Sequence, residues 1–192
     1  MRLPDQKKRL QIMSAAARLF TEQPFNKVRL DDVAEAAGVG KGTLYIYFKS
    51  KEDLYYSLVV DEFAAVGRRI EELLSKGLDF PTKVRQAVEE VAMFGARFPK
   101  IFDVMRTAGV PDASSVWDKE RKHVADSTER LLRQGIEAGE LHDPRPDLTA
   151  LYIPAMLRSA MLYRPDAASA SELVDHISNL LLSGMAGPAR RP

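Results

Sequence analysis

Apolar residues recur at helical spacing along almost the whole chain. The first predicted helix covers residues 6–21, and its apolar stripe is made by Ile12, Ala16, Leu19 and Phe20. After a break at residues 23–26, the apolar face of a shorter second helix is made by Leu30, Val33, Ala34 and Ala37. In each set the later residues lie three, four, seven or eight positions after the first, which places them on one face of an α-helix.

A glycine turn separates the second helix from a third. Gly38 is expected to end the second helix, because the residue after a last helical turn often adopts a left-handed backbone, which only glycine adopts without a steric penalty. The third helix is predicted from Gly40 to Phe48, and at 100° per residue Leu44 and Phe48 face the core. The outward face then consists of Gly42, Thr43, Tyr45 and Ile46.

The rest of the chain is predicted to be helical as well. Ser50 and Asp53 form a capping box, which starts a fourth helix that runs to about Ser75 and is roughly 35 Å long. Further helices are predicted over residues 82–97, 100–108, 114–138, 147–163 and 170–185. No stretch shows a convincing strand alternation, so the predicted fold class is all-α.

Composition narrows the possible chemistry. The 192 residues are 45% apolar, which supplies a core without crosslinks, and the lack of cysteine excludes disulfides and cysteine-ligated metals. His123, His142 and His176 show neither an i,i+4 pair nor HExxH spacing, so no metal site is expected. No nucleophile, base and orienting group can be combined from this sequence, so we expect neither an enzyme nor a cofactor.

The sequence also lacks the signals of a secreted or membrane protein. Polar residues interrupt residues 10–20, where a signal peptide would need an apolar core. The least polar stretch, residues 148–163, is too short to span a bilayer and contains Pro154 and Arg158. We therefore expect a cytoplasmic protein without a membrane partner.

Charge is unevenly distributed along the chain. The net charge is +1, but residues 1–54 carry ten Lys and Arg against seven Asp and Glu, whereas residues 55–192 carry eighteen against twenty. A mildly basic N-terminal part on a slightly acidic remainder fits contact with DNA by the N-terminal part alone.

The second helix, the glycine turn and the third helix have the layout of a DNA-reading helix-turn-helix. Two glycines leave the start of the third helix free of bulk, so that its amides can approach phosphates or base edges. The lysine ammonium groups, the threonine hydroxyl and the tyrosine phenols nearby can contact DNA phosphates. The candidate contacts are Gly40, Lys41, Gly42, Thr43, Tyr45, Tyr47 and Lys51. The alternative is a helical hairpin inside an ordinary bundle, with half-buried tyrosines.

Residues 33–54, VAEAAGVGKGTLYIYFKSKEDL, closely resemble the tetracycline-repressor (TetR) family of bacterial transcription regulators. The resemblance is specific over about residues 10–58. It implies three N-terminal helices that bind DNA, a fourth that links them to a variable ligand-binding domain, and two last helices that form a homodimer. We accordingly expect a helix-turn-helix DNA-binding domain at residues 1–50 and a helical effector-binding and dimerisation domain at residues 51–192, with residues 51–75 as the linking helix.

The chain departs from the family pattern at two positions. Many members have threonines at the start of the second helix, where this chain has Val28 and Arg29. Arg29 is expected to replace the lost phosphate contact by its charge, although it cannot cap the helix. Gly40 stands where a serine or threonine commonly precedes the third helix, so contact there is expected from the backbone.

The second half of the chain is rich in large, adaptable side chains, which suit a ligand pocket as well as a core. The pocket candidates are Phe94, Phe98, Phe102, Met105, Trp117, Tyr152 and Met156. Arg106, His123 and Arg158 lie near such residues in sequence and are candidate polar anchors or ordinary surface charges.

Two apolar helical faces near the end are candidates for a dimer interface. Their residues are Leu148, Leu151, Tyr152, Ala155, Met156, Ser159 and Ala160, with Leu173, Ile177, Leu180 and Leu181. Small residues on such a face permit close helix approach, as in a four-helix interface between two chains; the alternative is packing within one chain. Pro154 is expected to kink its helix or to mark a late start.

These features together predict a homodimeric repressor. Its third helices would bind a pseudo-palindromic, double-stranded operator whose grooves lie about 34–36 Å apart or a multiple of that distance. A small hydrophobic effector would release it by shifting the fourth helix. The alternative is a helical small-molecule-binding protein or enzyme without sequence-specific DNA binding.

Overall fold

The computed structural model describes residues 5–99, 113–163 and 169–184. Over these ranges the chain forms eight α-helices and no strand. The helices are α1 (Gln6–Glu22), α2 (Leu30–Ala36), α3 (Lys41–Tyr47), α4 (Lys51–Leu73), α5 (Phe80–Arg97), α6 (Ala113–Glu137), α7 (Pro146–Tyr163) and α8 (Ala170–Gly184). The all-α prediction is confirmed. The helix predicted at residues 100–108 lies outside the described residues.

Side-chain caps determine where several helices begin. The Asp79 carboxylate accepts a hydrogen bond from the Thr82 amide at 2.7 Å, which starts α5. At α4 the Ser50 hydroxyl accepts one from the Asp53 amide at 3.0 Å, as the capping box predicts. No side chain caps α2, where the residue before the helix is Arg29 and carries no acceptor.

One compact unit, which we call the N-terminal unit, contains the described residues up to Asp61, together with Pro99 and the start of α6 as far as Val116. Its core includes fully buried side chains from the first four helices and from Phe48, which ends α3: Ile12, Ala16, Val33, Leu44, Phe48 and Leu54. The first turns of α4 are part of this core, so the unit continues beyond residue 50. The Tyr55 ring lies 4.9 Å from Phe20 and 5.0 Å from Phe25, edge-on to both.

The C-terminal unit contains Glu62–Phe98 and the described residues from Trp117 onward. Within it α5 packs against both α7 and α8. The core includes Val66, Ile70, Val88, Leu131, Leu132, Leu157 and Ile177. Helix α7 begins at Pro146 and continues through Pro154, so a late start at Pro154 is ruled out. None of the helices in the described ranges combines the length and the apolar character needed to cross a membrane.

Candidate functional site

The connection between α2 and α3 is a Schellman turn. Ala37 ends α2 in the right-handed region, and Gly38 follows with a φ of 64°, in the left-handed region. The Gly38 amide donates to the Glu35 carbonyl and the Val39 amide to the Ala34 carbonyl, both at 3.0 Å. These bonds satisfy carbonyls at the end of α2 and direct the chain into α3. Gly38 thus ends the second helix, as its position in the sequence predicts.

Helix α3 presents the faces that its sequence predicted. Leu44 and Phe48 are 0% and 1% exposed, so they hold the helix against the core of the N-terminal unit. On the other side Tyr45 is 45% and Ile46 71% exposed. Gly42 is exposed as well, and Thr43 is half-buried. The outward face is therefore a polar and apolar surface that the unit itself does not cover.

The two glycines at the start of α3 are not required by the protein's own packing. Gly40 has a φ of −67° and a ψ of 147°, a conformation open to any residue, and Gly42 lies within the helix. A Cβ at Gly42 would meet nothing within 4 Å, and one at Gly40 only the Thr43 hydroxyl at 3.9 Å. The missing side chains therefore leave open surface beside α3.

Three charged groups meet next to this surface. Lys41 Nζ lies 2.8 Å from Oδ1 and 3.0 Å from Oδ2 of Asp31, and Arg29 Nη2 lies 3.9 Å from Asp31 Oδ2. The hydrogen bond between Lys41 and Asp31 lowers the pKa of the carboxyl group and raises the pKa of the ammonium group. Two cations predicted to contact phosphate are thus gathered around one carboxylate.

Tyr47 is joined to the start of α1. Its hydroxyl accepts a hydrogen bond from the Asp5 amide at 2.8 Å and donates one to the Asp5 carbonyl at 3.2 Å. The Asp5 carboxylate in turn caps α1 by accepting a bond from the Lys7 amide at 2.9 Å. In the free protein the phenol predicted to contact DNA therefore links α3 to α1.

Lys51 is engaged within the N-terminal unit. Its ammonium donates to the carbonyls of Phe25 at 3.0 Å and Val28 at 3.2 Å, and it lies 4.5 Å from the centroid of the Phe25 ring. Both carbonyls belong to the connection between α1 and α2. In the free protein the charge of Lys51 therefore holds that connection in place.

Three of the predicted pocket residues meet in an aromatic cluster of the C-terminal unit, made of Phe63, Phe94, Phe98 and Trp117. The Phe63 ring centroid lies 4.7 Å from both Phe94 and Trp117, and it stacks on Trp117 at 24°. Phe94 lies 5.3 Å from Phe98. Phe63 was missed as a pocket candidate, although it stands three and seven residues before the buried Val66 and Ile70 of the same helix.

The other predicted pocket residues are not part of this cluster. Phe102 and Met105 lie outside the described residues. Tyr152 is 52% exposed, which places it on the surface of a single chain rather than in an internal cavity, and Met156 is half-buried on the same helix. His123 packs against Gly67, so the imidazole lies within the C-terminal unit.

A groove of about 390 Å³ lies between α4 and α5, and none of the predicted pocket residues lines it. Its lining is mostly charged: Arg69, Glu72, Lys76, Glu89 and Glu90, with Leu73, Gln86 and Met93. This lining does not match an apolar ligand. No group of three His, Asp or Glu residues in the described ranges is placed to hold a metal ion.

The last two helices expose apolar side chains. Leu151 and Tyr152 on α7 are 48% and 52% exposed, and Leu180 on α8 is 51% exposed. Ala155 and Ser159 are also exposed on α7. Other members of the predicted dimer face, Ile177 and Leu181, are buried in the C-terminal unit. The predicted face thus divides into residues that build the core and residues left uncovered.

Two family descriptions match the chain. Residues 12–58 match "Bacterial regulatory proteins, tetR family", and residues 79–185 match "Tetracyclin repressor-like, C-terminal domain". The uncharacterized HTH-type transcriptional regulator YhgD of Bacillus subtilis is 27% identical over 155 residues, which cover 79% of this chain and 81% of that protein. The fatty acid metabolism regulator protein of the same organism is 37% identical over 65 residues, or 34% of each chain.

Solved structures have the same fold. A TetR/AcrR-family transcriptional regulator from Thermobifida fusca aligns with a TM-score of 0.72 at 26% identity, over 95% of this chain and 98% of that one. FadR from Bacillus subtilis, in complex with stearoyl-CoA, aligns with a TM-score of 0.67 at 21% identity, over 92% and 98% of the chains. The matched family and these relatives are regulators of transcription rather than enzymes, in agreement with the sequence-based expectation.

Proposed function

Because the chain belongs to the tetR family of bacterial regulatory proteins, we propose that it represses transcription by binding operator DNA as a homodimer. The N-terminal unit is the DNA-binding domain in this proposal, and α3 of each subunit enters a major groove. The observation that carries the proposal is the outward face of α3, where Tyr45 and Ile46 are exposed beside two glycines that the free protein does not need.

The DNA contacts we propose lie along the outward side of α2 and α3: Arg29, Gly40, Lys41, Gly42, Thr43 and Tyr45. Ile46 joins them, because an exposed apolar side chain on a recognition helix suits the methyl group of thymine. Tyr47 and Lys51 act indirectly, by holding α1 and the α1–α2 connection in place.

Selection from a random library of DNA duplexes tests this function. We expect the enriched sequences to form an inverted repeat, because a two-fold symmetric dimer presents two identical helices. Its half-site centres should lie about 34–36 Å apart or a multiple of that distance. Enrichment of no common sequence would favour a helical ligand-binding protein without specific DNA binding.

We place the subunit interface on α7 and α8. Leu151, Tyr152 and Leu180 leave an apolar surface on one chain, which a second copy would bury. Exposed Ala155 and Ser159 allow close approach of the two backbones. The same surface on both subunits would meet across a two-fold axis.

The effector we propose is a molecule that carries a long, apolar acyl chain and releases the protein from DNA. This class is supported by the similar Bacillus subtilis sequence named a fatty acid metabolism regulator and by the structure of FadR from the same organism in complex with stearoyl-CoA. The aromatic cluster supplies an apolar contact surface, and Phe63 places part of it on α4. Leu54 and Tyr55 of the N-terminal unit belong to the same continuous helix, α4. We therefore expect a displacement of Phe63 to shift these two residues as well.

Titration with stearoyl-CoA tests the effector. Trp117 is the single tryptophan of the chain and stacks on Phe63, so its fluorescence reports on the cluster. We expect stearoyl-CoA to change Trp117 emission and to weaken DNA binding, whereas coenzyme A without an acyl chain should do neither. Phe94→Leu should weaken the response to stearoyl-CoA. Equal responses to the two compounds would contradict an acyl-chain effector.

A further inference from the structure

Asp31 is an acidic residue on the side of the N-terminal unit that we assign to DNA. Its carboxylate contacts Lys41 at 2.8 Å and lies 3.9 Å from Arg29, so it faces two of the cations proposed to meet phosphates. A carboxylate at this place repels the DNA backbone and already satisfies the ammonium group that would bind it. Binding of DNA by Lys41 therefore replaces one anion by another.

We propose that Asp31 competes with DNA phosphate for Lys41 and thereby lowers the affinity of the protein for DNA of any sequence. The inference rests on the proposed function, since it concerns the same face. Phosphate contacts add affinity without sequence information, whereas contacts to base edges distinguish sequences. Weakening a phosphate contact in this way makes binding depend more on base readout by the outward face of α3.

The pair has the properties that such an exchange requires. The side chains of Lys41 and Asp31 are 61% and 44% exposed, so phosphate can reach the ammonium and water can receive the released carboxylate. An exposed ion pair has a small net free energy, which leaves it open to replacement. A lysine ammonium is charged at neutral pH, and the hydrogen bond to Asp31 raises the pKa of Lys41 further.

Asp32 offers a matched control for Asp31. It is the next residue in the first turn of α2, it is exposed, and among the described residues it has no ion pair with Lys41. Asp31→Asn and Asp32→Asn remove the same charge from the same helix end, where each carboxylate favours the helix dipole. A difference in DNA binding between the two variants therefore reports on the contact with Lys41.

The experiment measures binding of a labelled duplex of arbitrary sequence by fluorescence anisotropy, with circular dichroism to confirm that each variant is folded. At about 50 mM salt we expect Asp31→Asn to bind about three- to tenfold more tightly than the parent protein. Asp32→Asn should gain clearly less. Both gains should shrink as salt rises, because surface charges are then screened. In a Lys41→Ala background, the advantage of Asp31→Asn over Asp32→Asn should become clearly smaller, because only the longer contact with Arg29 remains.

Three results would overturn the inference. Equal gains for Asp31→Asn and Asp32→Asn would attribute the effect to overall charge. Weaker binding by Asp31→Asn would mean that Asp31 positions Lys41 for phosphate instead of competing with it. If neither the parent nor any variant bound duplex DNA, the proposed function would fail and this inference with it, whereas equal gains on bound DNA would leave the proposed function intact.

Discussion

Gly38 and Gly42 both have open space where a Cβ would stand, but their backbones differ. Gly38 has a φ of 64° in the turn, whereas Gly42 lies within α3. A side chain at Gly38 strains the left-handed backbone, while a side chain at Gly42 favours the helix, because glycine has the larger conformational entropy to lose. Two substitutions of identical chemistry should therefore have opposite effects on stability.

Gly38→Ala should lower the free energy of unfolding by about 1–2 kcal/mol, because the Cβ of alanine is too close to a carbonyl oxygen in the left-handed conformation. Gly42→Ala should raise it by about 0.5–1 kcal/mol. Urea unfolding followed by circular dichroism measures both. A change of the same sign in the two variants would contradict this account, in which Gly38 is required by its left-handed backbone and Gly42 is not required by the helix.

Tyr47 and Tyr45 form a second matched pair. Tyr47→Phe removes both hydrogen bonds to Asp5 and should lower the free energy of unfolding by about 0.5–1.5 kcal/mol. Tyr45→Phe removes an exposed hydroxyl, so it should leave stability unchanged and weaken DNA binding. Thermal unfolding and anisotropy on the selected duplex measure the two effects. Unchanged stability of Tyr47→Phe would contradict its link to α1.

For single residues, the sequence predicts whether a side chain faces inward or outward better than it predicts which residue that side chain contacts. The helical period alone places Leu44 and Phe48 inside and Tyr45 and Ile46 outside, because it depends only on neighbours in the chain. It does not predict that Tyr47 bonds to a residue 42 positions away. Long-range partners depend on how whole helices pack, which no local pattern contains.

Among the elements, helix limits follow closely from local signals. The caps at Ser50 and Asp79 and the turn at Gly38 determine where α4, α5 and α2 begin or end. The aromatic cluster is different, because it combines Phe63 of α4 with residues from α5 and α6 that are distant in sequence. Three of the seven predicted pocket residues therefore meet in this cluster, and Phe63, the cluster's residue from α4, was identified only in the structure.

The C-terminal end of α4 is held by a buried cation from α5. Lys83 is 8% exposed, and its ammonium donates to the Leu74 carbonyl at 3.3 Å and to Gln134 Oε1 at 3.0 Å. Lys83→Met should lower the free energy of unfolding by about 0.5–1.5 kcal/mol. Exposed Lys76, near the same helix end, supplies the control, and Lys76→Met should stay within about 0.5 kcal/mol of the parent. Equal losses in urea unfolding would contradict a specific role for Lys83.

At the scale of the whole molecule, a single chain exposes apolar side chains of its last two helices to water, which is unfavourable. Leu151 and Leu180 are about half exposed, on the two helices that the sequence pattern assigned to a dimer. The sequence predicts this surface because α7 and α8 carry more apolar positions than their own core uses. It does not predict the arrangement of two chains, which depends on surface shape.

Leu151→Glu combined with Leu180→Glu should give a monomer, because burying two charges at an interface is unfavourable. Met93→Glu is the control, since Met93 is 58% exposed on α5, outside the proposed interface. Light scattering measures the mass, and we expect the parent and Met93→Glu to have twice the mass of the chain. A dimeric double variant would place the interface elsewhere.

The central claim is that the outward side of α2 and α3 binds a specific DNA sequence. Its most direct test is anisotropy on the DNA upstream of the protein's own gene and on a scrambled duplex, at about 50 and 200 mM salt. We expect tighter binding to the upstream DNA, a steep loss of affinity at high salt, and weaker binding by Lys41→Ala but not by Lys76→Ala. Equal affinity for the two duplexes, indifference to salt, or full binding by Lys41→Ala would contradict the claim.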